Sequence, residues 1–152
     1  MKKLVSLIMA AATWLMGCST TGQVPDNACK VRLYKNRQSS ETQQQNAQEL
    51  EALVKELVEG TDDAYKLIVT AQDIKELKQQ LCLEIIFPNE LTIALNSGTC
   101  ITMSKILIPL DEHHDDSIVF YCGHERYFSP PYVNSHGALT LEKIMQCVTT
   151  MP

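Results

Sequence analysis

Four short segments rich in β-favouring residues follow one another between Cys82 and Cys122. They cover residues 82–87, 91–95, 101–110 and 117–122. Turn residues separate them, with Pro88-Asn89 after the first and Asn96-Ser97-Gly98 after the second. Connections this short join antiparallel strands, because parallel strands need a crossover of a dozen or more residues. The sequence therefore predicts an antiparallel meander of four or more strands.

Apolar residues recur at helical spacing in the stretch that ends before Gly60. The stripe consists of Leu50, Leu53, Val54, Leu57 and Val58. Ser40 can cap the N-terminus of such a helix and Gly60 can end it. The pattern predicts a helix over residues 40–59.

The remaining elements complete an α+β set. We expect strands over 29–34 and 65–70, the second with Leu67 and Ile68 at a buried centre. We also expect a short helix from a Thr70 cap through residue 80 and a last helix over 139–148. The run Ile106-Leu107-Ile108 requires cover on both faces of its strand. The predicted fold is an α+β domain in which helices pack on one face of an antiparallel sheet.

The first eighteen residues have the organisation of an export signal. Lys2 and Lys3 precede an apolar run that ends at Met16, and the small Gly17 comes just before Cys18. Spanning a bilayer takes about 20 apolar residues, so this run is too short and is typical of a cleaved signal peptide.

The segment Leu15-Met16-Gly17-Cys18 resembles the lipobox of bacterial lipoproteins. The resemblance implies a signal peptide over 1–17, a lipidated tether over 18–28 that begins at the acylated Cys18, and one α+β periplasmic domain over 29–152. A Ser rather than an Asp after the cysteine implies sorting to the outer membrane, and Ser19 meets that condition. The implied location is the periplasmic side of the outer membrane.

The charge balance argues against nucleic acid as a partner. Removal of residues 1–17 takes away Lys2 and Lys3 and leaves 135 residues with a net charge of −7. Nucleic-acid-binding domains carry basic patches instead. No cofactor-binding fingerprint is present, and we expect no cofactor.

Five cysteines follow Cys18, an odd number for a protein in an oxidising compartment. The expected hairpins bring Cys82, Cys100 and Cys122 to one end of the meander. This arrangement favours a Cys100–Cys122 disulfide and a second one between Cys82 and Cys147. Cys29 is then left free or replaces a partner in the second bond, and the alternative is that all the thiols stay reduced and buried.

An acidic, histidine-containing run occupies the connection before the last strand of the meander. It consists of Asp111, Glu112, His113, His114, Asp115 and Asp116. The four acids suit contact with a basic partner surface, and the two histidines are weak candidate metal ligands. A solvated turn is the plainer interpretation.

Aromatic residues and prolines cluster directly after the meander, in residues 127–132. Tyr127, Phe128 and Tyr132 are candidates for partner contact, because Pro130 and Pro131 stiffen the backbone that presents them. The alternative is a packed loop whose aromatics cover the core.

These patterns favour a non-enzymatic, protein-binding lipoprotein that faces the periplasm and has a protein partner in the envelope. Such a protein acts as an inhibitor or immunity-like factor, or as an accessory subunit of an envelope assembly. The alternative is a periplasmic metal-binding protein or hydrolase that uses His113, His114 and His124.

Overall fold

The computed structural model describes residues 28–44, 47–111 and 116–149. Its strands are β1 (Cys29–Lys35), β2 (Gln38–Gln44), β3 (Asp63–Ala64), β4 (Cys82–Ala94), β5 (Cys100–Pro109), β6 (Ile118–Gly123) and β7 (Tyr132–Asn134). Its helices are α1 (Ala47–Glu59), α2 (Ala71–Leu77) and α3 (Ala138–Thr149). The strands form one antiparallel sheet in the order β2-β1-β4-β5-β6-β7-β3. The expected α+β class and antiparallel sheet are confirmed.

One face of the sheet carries the main core, under α1 and α3. The predicted apolar stripe of α1 supplies four buried residues, Leu50, Val54, Leu57 and Val58. They meet alternate residues of the central strands, among them Leu83, Ile85, Ile106, Ile108 and Phe120. Each fully buried side chain of this size contributes roughly 1.5–3 kcal/mol. This core holds the two longer helices against the sheet.

The opposite face is also covered, which corrects the expectation that the helices pack on one face only. A second buried cluster is formed by strand residues that alternate with those of the main core, namely Cys82, Leu107, Val119 and Tyr121. Helix α2 packs against that cluster through Ile74 and Leu77, and the segment before the helix does so through Val69. Three further residues contact the cluster, Tyr34, Tyr127 and Val133. Because neighbouring strand residues point to opposite faces, the run Ile106-Leu107-Ile108 buries residues on both.

The helix expected over residues 40–59 starts later, at Ala47, and residues 38–44 form the edge strand β2 instead. The reason is the two-residue turn at Asn36 and Arg37, whose φ angles are 52° and 65°. Positive φ at both central residues is the conformation that joins two strands with matching twist. The chain therefore returns along β1, with Lys35 opposite Gln38.

Strand β4 is continuous, although a turn was expected at Pro88-Asn89. Ile86 lies opposite Lys105, and Leu91 lies opposite Met103. Between these two pairs β4 has four residues where β5 has one, so β4 bulges. Pro88 has no N–H to donate, and a bulge accommodates it where a regular ladder would not. The first two predicted strands are thus one bent strand, and its two ends lie far apart.

The strand expected over residues 65–70 does not form. Leu67 is 48% and Ile68 85% exposed, so they are not a buried centre. The following helix matches the prediction at its start, since the Thr70 side chain and Asp73 form a reciprocal capping box. It ends at Leu77, three residues early.

The signal segment and the lipidation site Cys18 lie outside the described residues. Among the residues that are described, no helix is both long enough and apolar enough to cross a bilayer.

The β1–β2 turn yields a stability prediction. Arg37→Gly should raise the free energy of unfolding by about 0.5–1 kcal/mol, because glycine adopts positive φ without a steric cost. The backbone bond from Arg37 N to Gln79 O, 3.1 Å long, is retained in this variant. Urea unfolding measures the change. Arg37→Val is the matched control and should lower stability; a gain in stability with valine would contradict the turn geometry.

Candidate functional site

A buried carboxylate lies at the centre of the sheet face that α2 covers. Glu84 is in β4, opposite Arg32 of β1 and Leu107 of β5, and its side chain is 2% exposed. Its neighbours Leu83 and Ile85 point into the main core, so Glu84 points the other way, towards α2. A charged group this deeply buried requires partners.

Three side chains donate hydrogen bonds to the Glu84 carboxylate. The Lys78 ammonium lies 2.6 Å from Oε1, and the Tyr127 hydroxyl is 2.5 Å from the same oxygen. The Tyr34 hydroxyl donates to Oε2 at 2.7 Å, and Arg32 is 3.7 Å from that oxygen. Both carboxylate oxygens are therefore satisfied by donors from β1, α2's C-terminal end and the loop after β6.

These partners keep Glu84 ionised. Burial on its own raises the pKa of Glu84, but the hydrogen bonds from Lys78, Tyr127 and Tyr34 and the charge of Lys78 outweigh burial, so the pKa is lowered. The pKa of Tyr127 moves strongly upward, because its hydroxyl is buried and donates to a negative group. At neutral pH the cluster consists of a carboxylate, protonated tyrosines and a lysine cation.

The loop after β6 places Tyr127 by an unusually close backbone approach. A Cβ on Gly123 would lie 2.1 Å from the Arg126 carbonyl oxygen, so only glycine fits. Gly123 forms a bridge to Tyr127, and the Phe128 amide donates to the Cys122 carbonyl at 2.8 Å. The tight return directs the tyrosine hydroxyl under the sheet towards Glu84.

A cavity of about 640 Å³ opens beside this cluster. Its lining includes the cations Lys78, Lys105 and Arg126, the acid Glu125, and the apolar Val69, Ala71, Ile74 and Phe128. The Lys105 ammonium donates to the Glu125 carbonyl at 2.9 Å and lies 4.9 Å from the centre of the Tyr127 ring. The cavity thus has a cationic wall and an apolar wall.

The environment of Lys105 is unfavourable for its charge. Partial burial lowers the pKa of Lys105; the charges of Lys78 and Arg32 act in the same direction, while Glu84 and Glu125 oppose them. Within the described part of the chain, no carboxylate lies within 4 Å of its ammonium. An anion in the cavity would relieve this imbalance.

The three aromatic candidates from the sequence are turned inward. Tyr127 binds Glu84, and Tyr132 stacks on Phe120 with ring centres 6.0 Å apart. Phe128 packs against the main core and lies edge-on to His124. The structure brings Tyr127 and Phe128 to the cavity, whereas Tyr132 lies at the core. Their positions match the packed-loop alternative.

The acidic loop is described only at its two ends. The Asp111 carboxylate accepts a hydrogen bond from the Leu81 amide at 3.0 Å, and Asp116 is exposed with a φ of 64°. Glu112, His113, His114 and Asp115 lie outside the described residues. Over 28–44, 47–111 and 116–149, no three His, Cys, Asp or Glu residues are grouped to hold a metal ion.

The expected disulfides are not supported, and the strand register gives the reason. No disulfide bond joins any two of the five described cysteines. Cys122 lies opposite Ile106, six residues along β5 from Cys100, so about 20 Å separates their positions. Cys82 lies opposite Pro109, at the other end of β5 from Cys100, and belongs to the cluster under α2. Cys147 packs on the opposite face, so the Cys82–Cys147 pairing is not supported either.

The Cys122 thiol, two residues before His124, is the cysteine that a Cys–His nucleophile at this place would use. Cys122 is fully buried, and burial raises the pKa of its thiol to about 12. A thiol in that state is not an activated nucleophile. His124 lies 3.3 Å from the Glu90 carboxylate instead.

Sequence reasoning missed Glu84, Lys78 and Lys105. A signal for the first was present, because Glu84 interrupts the apolar run of residues 82–87. A lone acid in a strand that is buried on both faces needs a cation or hydroxyl partner from elsewhere in the chain. The identity of those partners depends on the paths of α2 and the loop after β6, which the strand pattern does not specify.

The buried carboxylate yields a stability prediction. Glu84→Gln should lower the free energy of unfolding by about 2–4 kcal/mol at pH 7, because Lys78 loses its buried counter-charge. The folded-state pKa of Glu84 is below the ordinary value of 4.5, so its contribution is present at neutral pH. That contribution is lost as the pH falls below 4.5 and through the folded-state pKa.

Urea unfolding at pH 7 and at pH 3 measures both effects. The gap between wild type and Glu84→Gln should narrow at the lower pH. Glu125→Gln, at an exposed site, is the control and should stay within about 0.5 kcal/mol of wild type. Wild-type stability in Glu84→Gln at pH 7 would contradict the role of the cluster.

The thiol environments predict an order of alkylation. Among the five described cysteines of the reduced protein, Cys100 should react first, because it is the exposed one. Cys29, Cys82 and Cys122 are buried, and their pKa values are raised to about 12. A short iodoacetamide pulse followed by peptide mass spectrometry measures the order. Cys100→Ser should remove the fast phase, and rapid labelling of Cys122 in folded protein would contradict the structure.

Comparison with protein-family models, with curated proteins and with solved structures returned no match. The function of this chain therefore has to be inferred from its own residues and contacts.

Proposed function

We propose that this chain is a non-enzymatic, protein-binding lipoprotein, attached through Cys18 to the outer membrane and facing the periplasm. The observation that carries the protein-binding part is the edge strand β2. It is seven residues long and pairs with β1 on one side only, at the end of the sheet.

Strand β2 lacks most of the devices that usually protect a sheet edge. Natural edges are short or bulged, or they carry proline and lysine, because open backbone groups pair with other chains. In β2 the register with β1 is unbroken, and the sequence Gln38–Gln44 contains neither proline nor lysine. Residues 38–42 are exposed. Such a strand is a template on which an extended segment of a partner can add a further strand.

The hairpin register identifies the backbone groups that a partner would use. In a two-residue hairpin the residues that flank the turn, Lys35 and Gln38, exchange hydrogen bonds. Bonded and non-bonded pairs then alternate, so Ser40 points its N–H towards β1. Ser39 and Glu41 point theirs outward, into the space that an added strand would occupy.

Charge supports an extended, polar and basic partner segment. The side chains of β2 are polar and uncharged apart from Glu41, which pairs with Arg32 at 2.5 Å. The expected mature chain has a net charge of −7. Ser39, Tyr34, Cys82 and Pro109 lie in one row across four strands. Asp111, the first acid of the 111–116 run, follows that row closely, and the four acids of this run favour approach of a basic partner.

The position of the tether fits this orientation. Strand β1 starts at Cys29, opposite Gln44, which is the end of the sheet away from the acidic loop. A tether over residues 18–28 reaches at most about 40 Å when fully extended. A domain held in this way presents the β1–β2 turn and the acidic loop to the periplasm, as an inhibitor or an accessory subunit requires.

Photo-crosslinking in intact cells tests the proposal. A photoreactive residue replaces Thr42 in β2 or, as the control position, Glu142 on the exposed side of α3. We expect a defined protein adduct from position 42 and none from position 142. In the same cells an alkyne fatty acid should label the wild-type chain and not the Cys18→Ala variant.

Two matched variants test the strand-addition mechanism. Ser39→Pro removes one outward N–H and leaves the bonds to β1, so the adduct yield should fall at least tenfold. Ser39→Ala keeps that N–H and should keep the yield. Equal thermal unfolding of both variants establishes that the hairpin is intact. A wild-type yield with Ser39→Pro, or adducts from position 142 only, would contradict binding at β2.

A further inference from the structure

The cavity under α2 lies on a face of the sheet, whereas β2 forms one of the edges of the sheet. Its cationic wall consists of Lys78, Lys105 and Arg126, with Glu125 as the acid in the lining. Lys78 is already neutralised by Glu84 at 2.6 Å. The remaining cations, Lys105 and Arg126, exceed the remaining acid by one charge.

Lys105 is held in place by a backbone carbonyl and an aromatic ring rather than by a protein carboxylate. Its ammonium has three donor hydrogens, and the Glu125 carbonyl accepts one at 2.9 Å. The ammonium also lies over the Tyr127 ring, which is itself fixed by its hydrogen bond to Glu84. The long lysine side chain is therefore oriented at the cavity wall with donor hydrogens to spare.

The other wall of the cavity is apolar. Val69, Ile74 and Phe128 are half-buried and contribute to the lining, and Val69 and Ile74 also pack against the cluster under α2. The volume of about 640 Å³ is within the usual range of small-molecule sites, roughly 300–1,000 Å³. Inorganic ions alone would leave this wall and most of the volume unused.

We propose that this cavity binds a small organic anion, a carboxylate or phosphate head on a short apolar body. The head accepts hydrogen bonds from Lys105 and Arg126, and the body packs against Val69, Ile74 and Phe128. This site is independent of strand addition at β2, so either proposal stands if the other fails.

Methyl NMR on the full chain in lipid nanodiscs tests this binding site. The probes are hexanoate and hexyl phosphate, with hexylamine and acetate as the comparators that lack the negative charge or the apolar body. We expect one or both anionic probes to shift the Ile74 methyl signal saturably. Ile144, buried on the opposite face, should not respond. Hexylamine and acetate should bind at least tenfold more weakly.

Charge variants test whether Lys105 itself binds the probe or whether the loss of any positive charge weakens binding. Lys105→Gln should weaken binding of each anionic probe that shifts Ile74 at least tenfold, and Lys105→Arg should stay within about threefold of wild type. Lys143→Gln, on α3, is the control and should bind normally. An unshifted Ile74 signal with both anionic probes, equal affinity for hexylamine, or wild-type affinity in a folded Lys105→Gln protein would overturn the proposal. Thermal unfolding establishes that the variant is folded.

Discussion

The structure depends on one electrostatic arrangement, the ionised Glu84 carboxylate inside the sheet face under α2. Its three hydrogen-bond donors come from β1, from the residue after α2 and from the loop after β6. These segments are distant in the chain, and the apolar cluster that they cover is small. The carboxylate therefore fixes the position of elements that hydrophobic burial alone would hold less specifically.

The two faces of the sheet therefore differ in chemical character. The face under α1 and α3 is an apolar core with no buried charge among the residues that its cluster contains. The face under α2 combines apolar packing with Glu84, Lys78 and Lys105, and it leaves a cavity with surplus positive charge. The β2 edge belongs to neither face, and its exposed polar side chains leave its backbone accessible for strand pairing.

The elements that the sequence predicts well are those with a strong hydrophobic period. The stripe from Leu50 to Val58 specifies most of α1, and the Thr70–Asp73 pair specifies the start of α2. The errors come from residues without such a period. Residues 38–44 suit a helix surface or an edge strand equally, and the positive φ at Asn36 and Arg37 decides between them.

The same reasoning explains why Cys82 and Cys100 do not meet. Reading Pro88-Asn89 as a turn folds residue 82 back beside residue 96 and so places Cys82 and Cys100 at the same end of the meander. The bulge in β4 instead keeps them at opposite ends. Glu84 was visible in the sequence as an acid in an apolar strand, but its partners come from tertiary contacts up to 50 residues away. The lipobox is read from local sequence alone and does not depend on any of these contacts.

A direct titration of Glu84 is the most decisive measurement. With the glutamate side-chain carbons labelled with ¹³C, NMR follows the Glu84 carboxyl signal from pH 7 to pH 2, and Glu84→Gln identifies that signal. The account predicts a midpoint below the ordinary glutamate value of 4.5, with the carboxylate ionised throughout the neutral range. A midpoint above 4.5 would mean that burial outweighs the hydrogen bonds and the charge of Lys78, so the charged carboxylate would destabilise this face rather than organise it.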